Sequence, residues 1–190
     1  ASVDDGSAMF YNIAALSFMP GTVVDINVMP VAPKMKHQAA SPPGDAPARE
    51  TVDQSFIIPG LGVTHNPGGR LAFGLGVSAP FGLGVEWRDP ETWIGRYTSY
   101  DVDLATVYIT PAVSVKVTPK LSVAAGLNVA YQSIELNRFS GLPFGGANQL
   151  VNVIDSSLEG HSDLNLTPCF GLMYRPTPRL SLGVMYHHEK

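Results

Sequence analysis

The sequence predicts an all-β fold, an antiparallel transmembrane β-barrel, and three observations lead to this prediction. Long segments alternate apolar residues with small or polar ones at a period of two, which is typical of strands. The second face carries mostly hydroxyls, amides, Gly and Ala, which suits the inside of a large barrel better than a water-exposed sheet surface. Short and long connections alternate strictly along the chain, as in outer-membrane barrels.

The clearest alternation flanks the turn Thr118-Pro119-Lys120, between Asp103 and Tyr131. Every second position of both segments is large or apolar: Ala105, Val107, Ile109, Pro111, Val113, Val115, Val117, Leu121, Val123, Ala125, Leu127, Val129 and Tyr131. Such a face is hidden either in the core of a β-sandwich or in the hydrocarbon of a bilayer. The scarcity of charge on the opposite face favours the barrel, and a soluble β-sandwich stays open as the alternative.

Composition narrows the class of protein further. Charged residues make up 15% of the 190 residues, below the roughly 25% of an ordinary soluble protein. A net charge of -4 argues against a nucleic-acid partner. No apolar run approaches the roughly 18 residues of a membrane helix, so any crossing must be made by strands. The chain also starts without a signal peptide and stops within an alternating segment, so we expect both ends to be truncated.

The first third of the chain predicts a helical start and a bent strand. Residues 1 to 19 contain a short apolar stretch at helical spacing. Predicted strand one, residues 21 to 36, contains Pro30 and Pro33, which cannot donate to a ladder, so it lies at an edge or is bent. A polar loop follows at residues 38 to 52.

Predicted strands two and three form a hairpin around Asn66-Pro67-Gly68-Gly69. Strand two covers residues 54 to 65. Strand three has one apolar face made of Leu71, Phe73, Leu75, Val77, Ala79, Phe81 and Leu83. The other face carries Ala72, Gly74, Gly76, Ser78, Pro80 and Gly82. An aromatic loop at 86 to 102 leads into the central hairpin.

A third long loop, residues 137 to 162, precedes predicted strand six at 163 to 175 and strand seven from Leu180. Within the loop, four apolar residues recur at helical spacing and predict a short amphipathic helix: Leu150, Val151, Ile154 and Leu158. Asp155 and Glu159 would form its solvated face. The loop would also carry an apolar surface formed by Leu142, Phe144, Leu150, Val151 and Ile154; a loop that merely packs on itself is the alternative.

No catalytic set, metal site or cofactor site is predicted. His187 and His188 point to opposite faces of a strand and cannot ligate one metal together. Cys169 is a packing residue on the inner face of strand six. A basic residue follows or ends each of the three short turns, where it can lie at the lipid headgroups.

Five segments in series resemble the FadL/TodX family of outer-membrane transporters for hydrophobic compounds, and the resemblance covers nearly the whole chain. They are Phe10-Tyr11-Asn12-Ile13-Ala14-Ala15-Leu16, Ala79-Pro80-Phe81-Gly82-Leu83, Trp93-Ile94-Gly95-Arg96-Tyr97, Asp103-Leu104-Ala105-Thr106-Val107 and Pro119-Lys120-Leu121-Ser122-Val123. The chain departs from the family at Ile13, where Pro usually follows the Asn. It also lacks the Trp often found at the start of strand six.

The resemblance implies a fourteen-stranded barrel in the bacterial outer membrane, plugged by an N-terminal hatch and surrounded by outer-membrane lipid and lipopolysaccharide. Residues 1–19 would be part of the hatch, with its turn at Asn12, Ile13 and Ala14, and residues 20–190 would be the first seven strands. The implied function is passive import of long-chain fatty acids or hydrophobic aromatics, without catalysis. The resemblance also implies capture of the ligand at the extracellular loops, here on the apolar surface of the 137 to 162 loop.

Release would occur sideways at a kink in strand three, at Ala79, Pro80, Phe81 and Gly82. Pro80 lacks a donor and Gly82 weakens pairing, which fits a kink there. A general outer-membrane porin is the alternative among barrels, disfavoured because the inner face carries few charges.

Overall fold

The structure, a computed structural model, describes residues 5–38, 48–93, 95–143 and 150–188. It consists of a large antiparallel sheet and a short helical segment packed on one face. The strands are β1 Gly21–Val31, β2 Lys36–His37, β3 Arg49–Glu50, β4 Phe56–Asn66, β5 Leu71–Glu86, β6 Asp101–Thr118, β7 Leu121–Pro143, β8 Leu150–His161, β9 Asn165–Thr177 and β10 Leu180–His187. The helices are α1, Ala8–Tyr11, and two 3₁₀ helices, Ile13–Phe18 and Pro90–Thr92.

The strands of the large sheet follow one another as a meander. The order is β1-β4-β5-β6-β7-β9-β10, and each neighbouring pair is antiparallel. β2 and β3 form a separate two-stranded sheet between β1 and β4. The predicted antiparallel all-β fold is therefore confirmed, and the meander consists of seven successive strands within the described residues.

β7 is longer than predicted, and the helix predicted next to it is wrong. Its near half, Leu121 to Ala130, pairs with β9, and its far half, Ser133 to Pro143, pairs with β8. β8 and β9 thus form one strand interrupted at residues 162–164. The apolar residues Leu150, Val151, Ile154 and Leu158 lie in β8, because pairing with β7 overrides their helical spacing.

The two faces of the large sheet differ in the predicted way. Small and polar residues under the N-terminal segment are buried: Ala72, Ala112, Ser114, Ser122, Ala124 and Cys169. The opposite, outer face keeps its large apolar residues exposed, among them Phe73, Val107, Ile109, Val113, Leu127, Phe170 and Leu172. A sheet with this much exposed apolar surface on one face suits a lipid surrounding.

Residues 5–19, which we call the N-terminal segment, provide half of the buried apolar residues in the described part of the chain. Ile13 and Leu16 are fully or almost fully buried against the inner face. Glycines on the strands make room for them, because a Cβ at Gly126 would lie 3.2 Å from Ile13 Cδ1, and Met9 fills the space beside Gly74 and Gly76. The apolar residues of this segment form short helices here because they pack against several strands of the sheet, and this tertiary packing stabilises helices too short to form alone.

The two ends of the sheet differ in the length of the connections between strands and in charge. At the turn end, tight turns join β4 to β5, β6 to β7 and β9 to β10. Five cationic residues lie there: Arg70, Lys116, Lys120, Arg175 and Arg179. At the opposite, loop end lie β2, β3, the second 3₁₀ helix and the far part of the β7–β8 hairpin. None of the helices in the described ranges is long and apolar enough to cross a membrane.

Candidate functional site

Asn12 attaches the N-terminal segment to two neighbouring strands. Its Nδ2 donates to the carbonyl oxygen of Leu172 on β9 at 3.1 Å and to that of Val184 on β10 at 3.4 Å. Its Oδ1 accepts from the backbone N–H of Ala14 at 2.9 Å and so caps the 3₁₀ helix. One buried amide therefore fixes both the local turn and its position on the sheet.

Two glycines allow Asn12 to approach the sheet this closely. A Cβ at Gly171 would lie 2.7 Å from Asn12 Oδ1, and a Cβ at Gly183 would lie 2.6 Å from Asn12 Nδ2. Both distances are shorter than van der Waals contact, so any other residue would displace the amide. The glycines of β9 and β10 thus form a seat for one side chain.

Ala14 and Ser17 are held by side chains of the strands. The carbonyl oxygen of Ala14 accepts from Ser114 Oγ at 3.1 Å and from Ser122 Oγ at 2.6 Å. Asn66 Nδ2 donates to the carbonyl oxygen of Ser17 at 3.0 Å. Buried carbonyls need such partners, so these inner-face polar residues attach the segment to the wall.

Ile13 is the first residue of the 3₁₀ helix and is completely buried. Proline is favoured at the first position of a helix, because the N–H there has no partner within the helix. Ile13 is accepted at this position, since the Asn12 cap forms without the ring of a proline. Asn12, Ile13 and Ala14, which the sequence predicted as a turn, do lie together at the bend between α1 and the 3₁₀ helix.

The last side chain of the 3₁₀ helix lies against two cations at the turn end. The guanidinium carbon of Arg175 is 4.6 Å from the centre of the Phe18 ring, and Lys116 Nζ is 5.5 Å from it. Cation–π contacts of this kind contribute about 0.5–1 kcal/mol at exposed sites. They hold the segment at the end opposite the long loops.

Backbone pairing between β4 and β5 is interrupted partway along the sheet. Within the described residues, their pairing runs from His65–Phe73 only to Gly60–Ser78. Beyond this point the chain of β4 pairs with β1 alone, and β5 pairs with β6 alone. The two chains meet again at Val52 and Glu86, where an N–H donates to a carbonyl at 2.8 Å. Among the described residues, 53–59 and 79–85 therefore border a stretch of the sheet in which the two chains do not pair, and we call this stretch the window.

The window begins where β5 has a bulge. Ser78 pairs with Tyr108 but Phe81 pairs with Thr106, so Ala79 and Pro80 together oppose a single residue of β6. Pro80 has no N–H to offer a neighbouring strand. The four predicted kink residues, Ala79 to Gly82, thus lie at the end of the window that is nearer the turn end of the sheet.

The bulge also corrects the predicted faces of this strand. The alternation placed Gly82 on the inner face with Gly74 and Gly76. Gly82 instead pairs with Ala105, which lies on the outer face with Val107. One inserted residue shifts the two-residue period, so every position after the bulge changes face.

Aromatic and charged residues close the loop end above the window. The Trp87 and Trp93 rings stack with centres 4.0 Å apart, and the His37 ring lies edge-on to Trp93 at 4.9 Å. Asp53, on the border of the window, contacts Lys34 at 2.8 Å and Arg88 at 2.9 Å. The Lys34 ammonium holds the pKa of the Asp53 carboxyl below its usual value.

The loop between β5 and β6 braces one face of the β7–β8 hairpin. Arg96 Nε and the Tyr97 hydroxyl both donate to Asn152 Oδ1, at 2.9 and 2.8 Å. The Tyr100 hydroxyl donates to Asp155 Oδ1 at 2.9 Å. Partial burial, together with this bond, raises the pKa of Tyr100 to about 12. Asp155, predicted on a solvated helix face, is thus a bracing residue on β8.

The other face of the hairpin carries an exposed apolar stripe. By register, Leu142 pairs with Val151 and Leu136 with Leu158, and Ile134 pairs with both Leu104 and Gly160. The apolar residues of these pairs lie on the face of the sheet that also carries the buried inner residue Thr106, and Ile154 lies on the same face. The apolar stripe therefore consists of Leu104, Ile134, Leu136, Leu142, Val151, Ile154 and Leu158.

The apolar stripe contains three of the five residues predicted to capture ligand. Leu142, Val151 and Ile154 are each more than half exposed. Leu150 begins β8, and Phe144 lies outside the described residues. Sequence reasoning missed Leu104, Ile134 and Leu158, because only the strand register brings them onto the same face.

A metal centre is not formed by the described part of the chain, where no three His, Cys, Asp or Glu side chains are grouped to hold an ion. Cys169 is buried on the inner face and lies 3.9 Å from Asn128 Oδ1. Asn128 in turn accepts from Thr110 Oγ1 at 2.8 Å. These contacts agree with a packing role for the cysteine.

Comparisons with known proteins agree with this architecture. The model of the family described as outer membrane protein transport protein (OMPP1/FadL/TodX) matches residues 1–190. A FadL homologue of Pseudomonas aeruginosa has a similar structure, with a TM-score of 0.69 and 22% identity, covering 97% of this chain and 47% of that chain. The toluene transporter TbuX of Ralstonia pickettii gives a TM-score of 0.70 and 19% identity, covering 96% of this chain and 52% of that chain.

This chain therefore spans about half the length of the two solved relatives. No functionally curated protein matches it in sequence. The structural likeness identifies the sheet as part of a barrel wall with a segment packed inside it.

Proposed function

This chain belongs to the OMPP1/FadL/TodX family of bacterial outer-membrane proteins, and on that premise we propose that it contributes the hatch and the first seven strands of a passive transporter for hydrophobic molecules. Residues 1–19 are the hatch part and residues 20–190 the wall. The turn end faces the periplasm and the loop end faces outward. The ligand class is long-chain fatty acids or hydrophobic aromatics, the latter matching the toluene named for TbuX.

Capture occurs on the apolar stripe of the β7–β8 hairpin. A hydrophobic ligand gains about 0.8 kcal/mol for each CH₂ that it removes from water. The stripe offers exposed Leu, Ile and Val side chains from Leu142 down to Leu104, beside the inner face of the wall. The polar brace on the opposite face holds this surface in place, which supports capture over a loop that packs on itself.

The hatch prevents an open aqueous pore and directs the ligand away from the turn end. Ile13 and Leu16 fill the space inside the wall, and their burial argues against a general porin. A soluble β-sandwich is disfavoured because the outer face exposes Phe73, Ile109 and Phe170 to the surroundings. Transport by this route needs no catalytic group.

Release occurs sideways through the window between β4 and β5. The interrupted β4–β5 pairing is the observation that carries this proposal, because strands that are not hydrogen-bonded to each other can separate and admit a ligand without carrying it through water. The window lies beside outward residues such as Ile57 and Val107, so a departing ligand meets acyl chains. Ala79, Pro80, Phe81 and Gly82 border this exit.

The experiment is uptake of a labelled fatty acid by cells that make equal surface amounts of the full-length parent and the Pro80→Ala/Gly82→Val double variant. Ala at position 80 supplies an N–H, and Val at 82 adds strand propensity. A Cβ at Gly82 would meet only Leu104 O, at an ordinary 3.7 Å, so the variant should fold. We expect normal assembly and reduced uptake. Normal uptake would refute lateral release.

A further inference from the structure

Phe56 lies across the window that the previous subsection assigns to release. It is the first residue of β4 and pairs with Val31 of β1, on the side away from β5. Its ring nevertheless reaches the far border of the window. A Cβ at Gly84 of β5 would lie 2.7 Å from Phe56 Cζ and 3.2 Å from Cε1. An aromatic side chain thus contacts β5 where backbone pairing between the two strands is absent.

The contact depends on Gly84 having no side chain. Gly84 is buried and pairs with Asp103 of β6, so its backbone is held in the wall. The atom that approaches it is the tip of the Phe56 ring, which moves furthest when the side chain rotates. Residues 52–55, just before Phe56, belong to no strand. The ring can therefore leave its seat by rotation of the Phe56 side chain, while the backbone of Gly84 stays in the wall.

We propose that the Phe56 ring is a gate across this window, that Gly84 is its seat, and that the seated ring excludes bulky hydrophobic molecules while slender ones pass. The proposal rests on the lateral release proposed above and adds the residue that controls it. A straight acyl chain or a single aromatic ring passes when the Phe56 ring rotates. A fused polycyclic molecule needs the ring to be absent or displaced.

The test compares two probes, a labelled long-chain fatty acid and pyrene, in cells that make equal surface amounts of full-length protein. The variants are Phe56→Ala, Gly84→Ala and the double variant. Phe56→Ala removes the gate, and Gly84→Ala displaces the ring by filling its seat. Each single variant should raise the ratio of pyrene uptake to fatty-acid uptake several-fold. Ile26→Ala, at an exposed outer-face position of β1 that does not border the window, should keep the parent ratio.

The double variant separates a gate from a general loosening of the wall. If the ring is the gate, Gly84→Ala has no further effect once Phe56 is Ala, so the two effects are not additive. Fully additive effects, or a parent ratio in Phe56→Ala, would overturn the gate while lateral release stands. A parent that takes up neither probe would overturn the proposed function itself, and the gate with it.

Discussion

Ser122 Oγ donates to the carbonyl oxygen of Ala14 at 2.6 Å, and this bond joins β7 to the segment that fills the inside of the wall. The same oxygen accepts from Ser114 at 3.1 Å. Both serines are fully buried. The small polar residues that alternate with apolar ones along the strands thus have a definite partner, the backbone of the N-terminal segment.

The first prediction concerns these two serines. Ser114→Ala together with Ser122→Ala leaves the buried carbonyl of Ala14 without its partners, at a cost of about 1–3 kcal/mol. We expect faster amide hydrogen exchange in residues 8–18 and an unchanged wall. Ser181→Ala, at an exposed position of β10, is the matched control. Equal protection of the segment in all variants would contradict its attachment through Ala14.

The second prediction concerns the glycine seat of Asn12. Gly183→Ala places a Cβ only 2.6 Å from Asn12 Nδ2, which is closer than van der Waals contact. The Asn12 amide must therefore leave its two carbonyl partners. We expect residues 8–18 to become accessible to added protease and uptake to change. Gly69→Ala is the control, because a Cβ there meets nothing within 4 Å. Protease resistance equal to that of Gly69→Ala would show that Asn12 has another seat.

The third prediction concerns the outer face. An Arg at the bilayer midplane of a barrel costs about 2–4 kcal/mol, so Ile109→Arg should impair membrane assembly. Thr110 is a poor control because it is buried and bonded to Asn128. Asn27→Arg is better, since this inner-face position is exposed. Assembly is measured as folded protein in the outer-membrane fraction, and equal yields would contradict a lipid-facing Ile109.

The fourth prediction concerns the apolar stripe. Ile154→Ser with Leu158→Ser removes two exposed side chains from it, so half-maximal uptake should need a higher ligand concentration. The amount of assembled protein should not change, because neither side chain is buried. Leu71→Ser with Leu180→Ser removes similar exposed apolar surface at the turn end and serves as control. An unchanged uptake curve at limiting ligand would favour a loop that only packs on itself.

The fifth prediction concerns pH at the brace. The folded pKa of Tyr100 is raised to about 12, above the ordinary value of about 10, so the brace favours the protonated phenol. Its stabilising contribution is complete below pH 10 and is lost as pH rises from about 10 through about 12. Phenolate absorbance of the parent minus that of Tyr100→Phe should show this late titration. Asp155→Asn should move it to lower pH, and an unmoved titration would exclude the contact with Asp155.

The sequence predicted the wall well because a lipid-facing strand repeats every two residues whatever its neighbours are. A family resemblance also singled out Asn12, Ile13 and Ala14, which lie where α1 meets the 3₁₀ helix. Sequence reasoning failed at β8, where Leu150, Val151, Ile154 and Leu158 are spaced as on a helix, and only hydrogen bonds to β7 decide for a strand.

The window could not be predicted from the sequence, for a different reason. It is a place where two strands stop pairing, and the pairing of β4 with β5 depends on positions far apart in the chain. The proline and glycines near Pro80 signal a weak point in one strand. They do not show that the chains rejoin at Val52 and Glu86, or that Phe56 reaches Gly84.

The length of β7 determines what a molecule outside the cell meets first. The 23 residues of β7 measure roughly 75 Å along the strand at about 3.3 Å per residue. Even at a tilt of about 45°, this length spans roughly 50 Å, which is more than the roughly 30 Å of a hydrocarbon core. In the proposed orientation, the far part of the hairpin therefore extends beyond the membrane, where a hydrophobic molecule can touch it before it reaches any lipid.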